Sequence, residues 1–596
     1  MRILVFIVSV IVSSMALFGV APAAEAKKIK VHHVVFSGNQ AYDEMRLEGL
    51  MLTRPSKFLA TKEYHEEVFL DDLETLTTFY RQNGYLQAHI SDTSVVIDSM
   101  LKTVDIAIGI YEGERTYIEG ISLFENRFFP DSTLMSYIQM KAGDPLLRPH
   151  IEDAVVALLS LYAENGFLDA SVTPTVHVND SAHLALIDFT VSEGISSRVG
   201  SIDISGADRT HDNVILRESS FAQGDTIQYS ELIETQRRLY MTGLFESVFV
   251  RPVASQSSFS PNRNVLIEIK EKPSSELGFS LGYGTVEKIR GRIELSTINL
   301  AGTARGAGIS IEGNYIRQGT TLSFSEPWTL GTRWKTDLSL FGQFRQEPGY
   351  HARVLGGKVT LGRNIGRETT ISATYRMENT TLSKVDPKTV TEELDPRIRS
   401  LTFSINHDTR DNLFNPSHGW FFNWANELAG SFLQGSNTFA KTVATLKRFE
   451  SVSRSCVIGS ALEVGWMGPF DVSNEVPVSE LFYTGGPTSL RGFGYQLVGP
   501  LNDDGEPAGG EFKVVWNVLE VRQSIFRIFG GVLFVECGNV WPKVEMARLS
   551  ELRIDAGIGL RMNSPLGILR LDYGVNLDAH PGEPGKKIFV SMGQAF

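Results

Sequence analysis

Ile371-Ser372-Ala373-Thr374-Tyr375-Arg376-Met377-Glu378 alternates apolar with polar residues without a break. That is the period of a strand whose two faces meet different surroundings. The period returns in Leu401-Thr402-Phe403-Ser404-Ile405-Asn406. It returns again where Leu552, Ile554, Ala556, Ile558 and Leu560 interleave with Arg553, Asp555, Gly557, Gly559 and Arg561. From Pro273 onward the helical period vanishes. Charges on one face would suit a soluble sandwich, but strands of about ten residues repeated with polar turns match a membrane barrel better. A bilayer admits β structure only when every edge amide is paired, so such strands must close on themselves. Residues 277–596 number 320, or 20 for each of 16 strand-and-connection segments. The expectation is a 16-stranded antiparallel transmembrane β-barrel over 273–596. Its longest connection, about 471–508, falls between the eleventh and twelfth segments. It is far longer than a turn needs, and such loops usually carry function.

Upstream, residues 27–272 repeat a pattern three times. Each unit opens with a short strand expected to alternate: Val31, Val34, Phe36; then Ile118, Ile121, Leu123; then Val199, Ile202, Ile204. A helical stretch follows and ends at an aromatic-rich turn, Tyr80-Arg81-Gln82-Asn83-Gly84-Tyr85, Tyr162-Ala163-Glu164-Asn165-Gly166-Phe167, or Leu239-Tyr240-Met241-Thr242-Gly243-Leu244. Glycine just past a helix accepts the left-handed conformation that satisfies the last carbonyls. Alternating strands then close each unit at Glu112-Gly113, Glu193-Gly194 and Glu271-Lys272. The units are expected over 27–115, 116–195 and 196–272, each with the order strand, helices, strand, strand. Small sheets covered on one face keep open edges, and an open edge can accept an added strand.

Arg2, an apolar run from Ile3 to Val20 and the small-residue sites Ala21-Pro22-Ala23 and Ala24-Glu25-Ala26 read as a secretory signal peptide over 1–26. No apolar run of that length recurs, so no transmembrane helix is expected in the mature chain. Lys+Arg 56 against Asp+Glu 69 gives a net charge of −13. Residues 27–272 hold 22 basic and 35 acidic residues and so carry all of it, while 273–596 hold 33 of each. An acidic half beside a neutral half excludes an overall electrostatic grip on nucleic acid. Two cysteines exclude a disulfide scaffold and a cysteine-built zinc site. Cys456 and Cys537 are both expected to face lipid, one strand apart and unbonded. His32-His33 and His407-Asp408 have no companions at metal-binding spacing, and no metal or cofactor is expected. No G-x-S-x-G elbow, P-loop or H-E-x-x-H motif is read, and no catalytic residue is expected.

The long connection contains Gly485-Gly486-Pro487-Thr488-Ser489-Leu490-Arg491-Gly492-Phe493. This block resembles the (V/L)-R-G-(F/Y) loop of the BamA/TamA family of bacterial outer-membrane assembly proteins. The resemblance covers essentially the whole mature chain. The three α/β units look like POTRA domains, and three copies is the TamA-like number. Asp408-Thr409-Arg410-Asp411-Asn412 with Pro416 and Gly419 resembles the family's mid-barrel motif. Gly509-Gly510 through Glu520-Val521-Arg522 resembles its twelfth strand, and Phe534 to Val540 its thirteenth, with Glu536 where the family usually has Asp. Ile588 to Phe596 looks like the terminal barrel signal.

The resemblance implies that the loop motif, Leu490, Arg491, Gly492 and Phe493, folds back into the lumen, where Arg491 meets Glu520 and Glu536. Strand parity turns Phe534, Glu536 and Gly538 inward. On the twelfth strand, Phe512, Val514 and Trp516 differ in parity from Leu519 and Val521, so a bulge is expected near Asn517-Val518. The family places a lateral seam between first and last strands, here Gly278, Gly282 and Gly284 against Gly593 and Phe596, with residues near Leu281 and Ser591 adjacent. The implied activity is assembly, insertion or translocation of outer-membrane β-barrel proteins or autotransporters, without enzymatic chemistry. The implied partners are the outer-membrane bilayer, unfolded outer-membrane protein clients and an accessory protein of the periplasm or inner membrane. The rival readings are a two-partner secretion pore, which would carry two POTRA-like units and a plug helix, and a passive channel, which would need neither repeats nor the arginine loop.

Overall fold

The computed structural model describes residues 29–55, 62–253, 261–385, 395–471, 473–564 and 567–595. The signal peptide expected over 1–26, and Phe596, lie outside the described residues. Two compact units divide the chain, Met1–Asp203 with Ser220–Thr235 and Val250–Ile267, and Ile204–Ser219 with Gln236–Phe249 and Glu268–Phe596.

The first repeat runs β1 (Lys30–Ser37), α1 (Glu44–Leu50), α2 (Glu66–Gln82), β2 (His89–Asp98) and β3 (Thr103–Tyr111). The second runs β4 (Tyr117–Phe124), α3 (Asp131–Tyr137), α4 (Arg148–Glu164), β5 (Ser171–Asn179) and β6 (Leu184–Ser192). The third runs β7 (Arg198–Ser205), α5 (Asp212–Leu216), α6 (Tyr229–Met241), β8 (Phe245–Pro252) and β9 (Asn262–Glu271). In each, the last strand lies in the middle of a three-stranded sheet. In the first two repeats the opening strand runs parallel to it and the other strand antiparallel.

Local chemistry explains the recurring helix. Phe69, Leu76 and Tyr80 of α2 are buried at helical spacing against Val104, Ile106 and Ile108 of β3. The helix stops where the Asn83 amide donates to the Phe79 carbonyl at 2.7 Å and Gly84 takes φ +95°. α4 ends the same way, with Asn165 donating to the Leu161 carbonyl at 2.9 Å and Gly166 at φ +88°.

One detail departs from plain alternation. The opening strands bury residues three and then two apart, not two and two. A β-bulge between Val31 and His33, and another between Ile118 and Gly120, accounts for this. The extra residue resets the parity, so Val31 and Val34 both face the core.

In the first two repeats the glutamate closing the unit ties the opening turn to the helix. Glu112 accepts from the Ala41 amide at 3.0 Å and the Tyr80 hydroxyl at 2.9 Å. Glu193 accepts from the Arg127 and Phe128 amides, both at 2.8 Å, and the Tyr162 hydroxyl at 2.9 Å. In the third repeat Leu239 stands where those tyrosines stand, and Glu271 takes the Thr210 amide at 2.8 Å and hydroxyl at 2.6 Å instead.

The remaining strands form one antiparallel sheet of 16, each bonded to its sequence neighbours. They are β10 (Ser275–Gly284), β11 (Lys288–Leu300), β12 (Arg305–Gly313), β13 (Arg317–Glu326), β14 (Lys335–Glu347), β15 (Tyr350–Ile365), β16 (Thr369–Ser383) and β17 (Arg397–Asp408). The second half is β18 (Gly419–Ala429), β19 (Phe439–Ser453), β20 (Cys456–Pro469), β21 (Phe512–Phe526), β22 (Phe529–Trp541), β23 (Arg553–Ser564), β24 (Gly567–Asn576) and β25 (Lys586–Met592). The long connection lies between β20 and β21, the eleventh and twelfth strands. The bulge expected near Asn517-Val518 is present, since the register of β21 against both β20 and β22 shifts there. The outward face of β10 is Leu277, Phe279, Leu281 and Tyr283, all exposed, as a lipid-facing band requires.

Candidate functional site

The connection after Pro469 turns back against the inner wall. Gly486 donates to the Leu490 carbonyl at 3.1 Å and Gly485 to the Ser489 hydroxyl at 3.0 Å, which shapes a tight turn. Leu490, Phe493 and Val498 pack together behind it. The turn presents Arg491, whose side chain is fully buried. Its backbone N–H donates to Glu536 Oε2 and its Nε to Glu536 Oε1, both at 2.9 Å. Its Nη2 donates to Glu520 Oε2 at 2.7 Å. Asp572 Oδ1 lies 3.7 Å from Nη1, and the guanidinium stacks 3.5 Å from the Phe534 ring centroid. A planar guanidinium suits this use, because its fork fixes direction as well as charge. The next residue is fixed too, with the Gly492 N–H donating to Asp555 Oδ2 at 2.9 Å. A Cβ at Gly492 would stand 2.5 Å from Asp555 Cβ, and one at Gly574 would stand 2.3 Å from the Arg491 carbonyl oxygen. Glycine at both positions lets loop and wall touch.

The sequence-derived loop motif and its two glutamates thus meet. Five further residues belong to the same cluster, and the sequence does not assign them to it. Arg522 donates to Glu520 at 2.8 Å, and Arg561 to Asp572 at 2.7 Å. Arg570 Nε donates to the Ser591 hydroxyl at 2.6 Å and its Nη2 to the Pro487 carbonyl at 2.8 Å, joining β24, β25 and the loop. Asp555 and Asp572 complete the set. Four buried arginines and four buried carboxyl groups thus share one cluster, and buried charge of either sign is tolerated only beside its opposite.

The loop has a second and a third hold. Glu480 accepts from Arg376 Nη1 at 3.0 Å and Nη2 at 3.1 Å, while Arg376 also donates to Glu427 at 2.7 Å. Lys441 donates to the Glu480 carbonyl at 3.0 Å. Glu347 accepts from the Tyr495 hydroxyl at 3.1 Å and the Gln496 amide at 3.0 Å.

No ladder joins β10 to β25 among the described residues. The Thr285 N–H donates to the Val590 carbonyl at 2.9 Å, and the Val590 N–H to the Thr285 hydroxyl at 2.7 Å. This register opposes Thr285 to Val590, not Leu281 to Ser591 as expected. Gly278, Gly282 and Gly284 alternate with the lipid-facing residues of β10, so with Ser280 they leave its inner face almost bare. Gly593 is not on the seam strand. β25 ends at Met592, Gly593 turns at φ +96° and donates to the Ile568 carbonyl at 2.7 Å, and the Gln594 amide reaches Asn415 at 2.9 Å. On the inner side of the seam lies a cavity of about 440 Å³ lined by Ser280, Arg290, Arg292, Tyr495, Arg570 and Ser591. Gly278-Phe279-Ser280-Leu281-Gly282 matches the letters G-x-S-x-G, but it lies inside an extended strand. A nucleophile elbow requires a strand-to-helix turn.

The Omp85 superfamily domain matches residues 299–596, and the POTRA surface antigen variable number repeat matches 29–113, 116–194 and 197–272. The chain belongs to the Omp85 superfamily. It is 24% identical over 595 residues to the outer membrane protein assembly factor BamA of Neorickettsia risticii, covering 95% of this chain and 78% of that protein. It is 23% identical over 603 residues to the BamA of Nitratidesulfovibrio vulgaris, covering 96% and 74%. The crystal structure of BamA from Haemophilus ducreyi lacking POTRA domains 1–3 matches 80% of this chain and all of that one, with TM-score 0.68 and 20% identity. That likeness speaks for the Omp85 fold.

Proposed function

We propose that this Omp85 protein assembles β-barrel proteins in the bacterial outer membrane, its POTRA repeats lying in the periplasm and its barrel spanning the bilayer. The observation that carries this reading is the seam. A 16-stranded barrel whose first and last strands, among the described residues, are hydrogen-bonded only between Thr285 and Val590 leaves strand-edge amides that hydrocarbon cannot satisfy. A client strand pairing with β10 satisfies them. The cavity behind the seam receives the client's inward side chains, and the bare inner face of β10 leaves them room. The free energy comes from strand pairing and burial of the client in lipid, so no covalent step and no nucleotide is needed. An open edge of a POTRA sheet offers the client its first pairing site.

The test is a cysteine pair bracketing Thr285 and Val590, oxidised in the purified protein reconstituted into liposomes. Client barrel assembly is expected to stop and to resume on reduction. A verified cross-link with assembly at the wild-type rate would overturn lateral opening.

A further inference from the structure

His32 and His33 are consecutive, and on a regular strand they would point to opposite faces of the sheet. The bulge in β1 prevents that. Val31 pairs with Val104, His33 with Asp105 and Val34 with Ile106, and His32 is the extra residue. Both imidazoles therefore stand on the solvent side, beside Asp105 of β3. His32 Nδ1 lies 2.9 Å and His33 Nδ1 3.4 Å from Asp105 Oδ1, and the two rings meet edge to face at 3.9 Å. One ligand atom from each of the three residues falls within 4.8 Å of the others. Zinc bonds of about 2.0–2.2 Å in tetrahedral array place ligand atoms roughly 3.3 Å apart. Among the described residues no other trio of His, Cys, Asp and Glu converges in this way.

The sister repeats separate what the fold needs from what this site adds. The second repeat makes the same bulge with Glu119-Gly120, set against Leu186. At the corresponding place the third has Gly200-Ser201, where the Ser201 N–H donates to Asn264. Neither offers a nitrogen ligand. The bulge thus belongs to the architecture, while two histidines and an aspartate on it belong to the first repeat alone. The sequence alone gives His32-His33 no companion at metal-binding spacing, because Asp105 is 73 residues away.

We propose that His32, His33 and Asp105 form a site for a divalent late first-row metal, represented by Zn²⁺. Two imidazoles and one carboxylate suit zinc or copper and not calcium or magnesium, which take oxygen ligands in larger number. The metal takes the place of the proton that now lies between His32 and Asp105, and its remaining position faces solvent. Because the histidines sit on edge strand β1 and the aspartate on central strand β3, the bound ion staples the edge to the sheet.

The experiment is calorimetric titration of Zn²⁺ into the full chain in detergent, carrying no polyhistidine tag, beside His33→Asn and Asp105→Asn variants. These side chains are exposed, and circular dichroism checks that each variant keeps the wild-type fold. The wild type is expected to bind one equivalent, and each variant to bind about tenfold or more weakly. Equal uptake by wild type and His33→Asn would overturn the site. Wild-type affinity in Asp105→Asn would overturn the three-ligand assignment.

Discussion

Arg491 is the residue on which the loop turns, and its surroundings state what its loss would cost. Truncation leaves Glu520 and Glu536 buried without their shared cation, and breaking one partner out of a buried pair typically costs about 3–5 kcal/mol. Because Arg522 still neutralises Glu520, the barrel itself should survive. Arg491→Ala is therefore expected to keep a heat-modifiable barrel on gels while client assembly falls and the loop becomes protease-sensitive. A wild-type assembly rate would remove the loop from the mechanism. Arg491, Glu520 and Glu536 are legible in the sequence because the motif is distinctive and parity turns Glu536 inward. Arg522, Asp555, Arg561, Arg570 and Asp572 are not. Any lumen-facing position of a barrel can hold a charge in water, and which charges are desolvated depends on where the loop lands. Glu193 makes a residue-scale prediction about pH. Burial alone would raise its carboxyl, but the Phe128 and Arg127 amides and the Tyr162 hydroxyl outweigh this and hold it below the ordinary value of 4.5. A depressed folded value means that its contribution is complete above the unfolded value and is lost as pH falls through the folded one. Hydrogen exchange at the Arg127 and Phe128 amides should accordingly rise as pH drops below about 4.5 relative to intrinsic rates, and Glu193→Gln should flatten that dependence.

At the scale of elements, the loop between β20 and β21 is a strut with several feet. Arg491 holds it to β21 and β22, Glu480 to β16 and β19, and Tyr495 with Gln496 to the end of β14. The Glu480 foot joins residues 104 apart in sequence, so no local pattern announces it. Arg376 is read from the sequence only as one polar residue of an alternating strand. Because the pair is buried and bidentate, Arg376→Ala and Glu480→Ala should each destabilise the barrel by about 3–5 kcal/mol, and the double variant by clearly less than their sum. Urea unfolding followed by tryptophan fluorescence measures this, and additive losses would show that the two side chains do not act together. Bulges show the opposite case. The parity slip around Val518 is legible in the sequence, because a bulge leaves its mark on which residues are apolar, whereas the opening POTRA strands read as plain alternation and their bulges come only from the register. The end of β25 is less visible. Alternation continues on paper to Phe596, but Gly593 adopts φ +96° and takes the chain off the sheet.

Across the whole molecule the barrel wall is uneven, and the seam is its weakest stretch. The free cysteines sit in the sound part of the wall. Cys456 opposes Gln523 and Cys537 opposes Trp516, which separates them by roughly 20 Å along β21 at about 3.3 Å per residue. A disulfide needs Cα atoms within about 7 Å, so maleimide labelling of the unreduced, unfolded protein should add two tags. The seam is different. β25 has 7 residues and β15 has 16. At about 3.3 Å per residue and a tilt near 40°, β25 reaches across roughly 18 Å, short of the apolar band of about 25 Å, while β15 exceeds it. The bilayer beside β25 must thin or leave polar groups in hydrocarbon, and mismatch of this kind costs fractions of a kcal/mol per Å. β10 adds to the weakness, because among the described residues its ladder runs to β11 alone and its inner face lacks the side-chain pairs that stabilise neighbouring strands. Thermal opening should therefore begin here. Hydrogen exchange of the protein in bilayers should show the amides of Ser275–Gly284 and Lys586–Met592 exchanging well before those of β15 and β16, where 15 residue pairs join the strands. Protection at the seam equal to that in β15 and β16 would mean that the bilayer seals it, and a client would then have no edge to enter by.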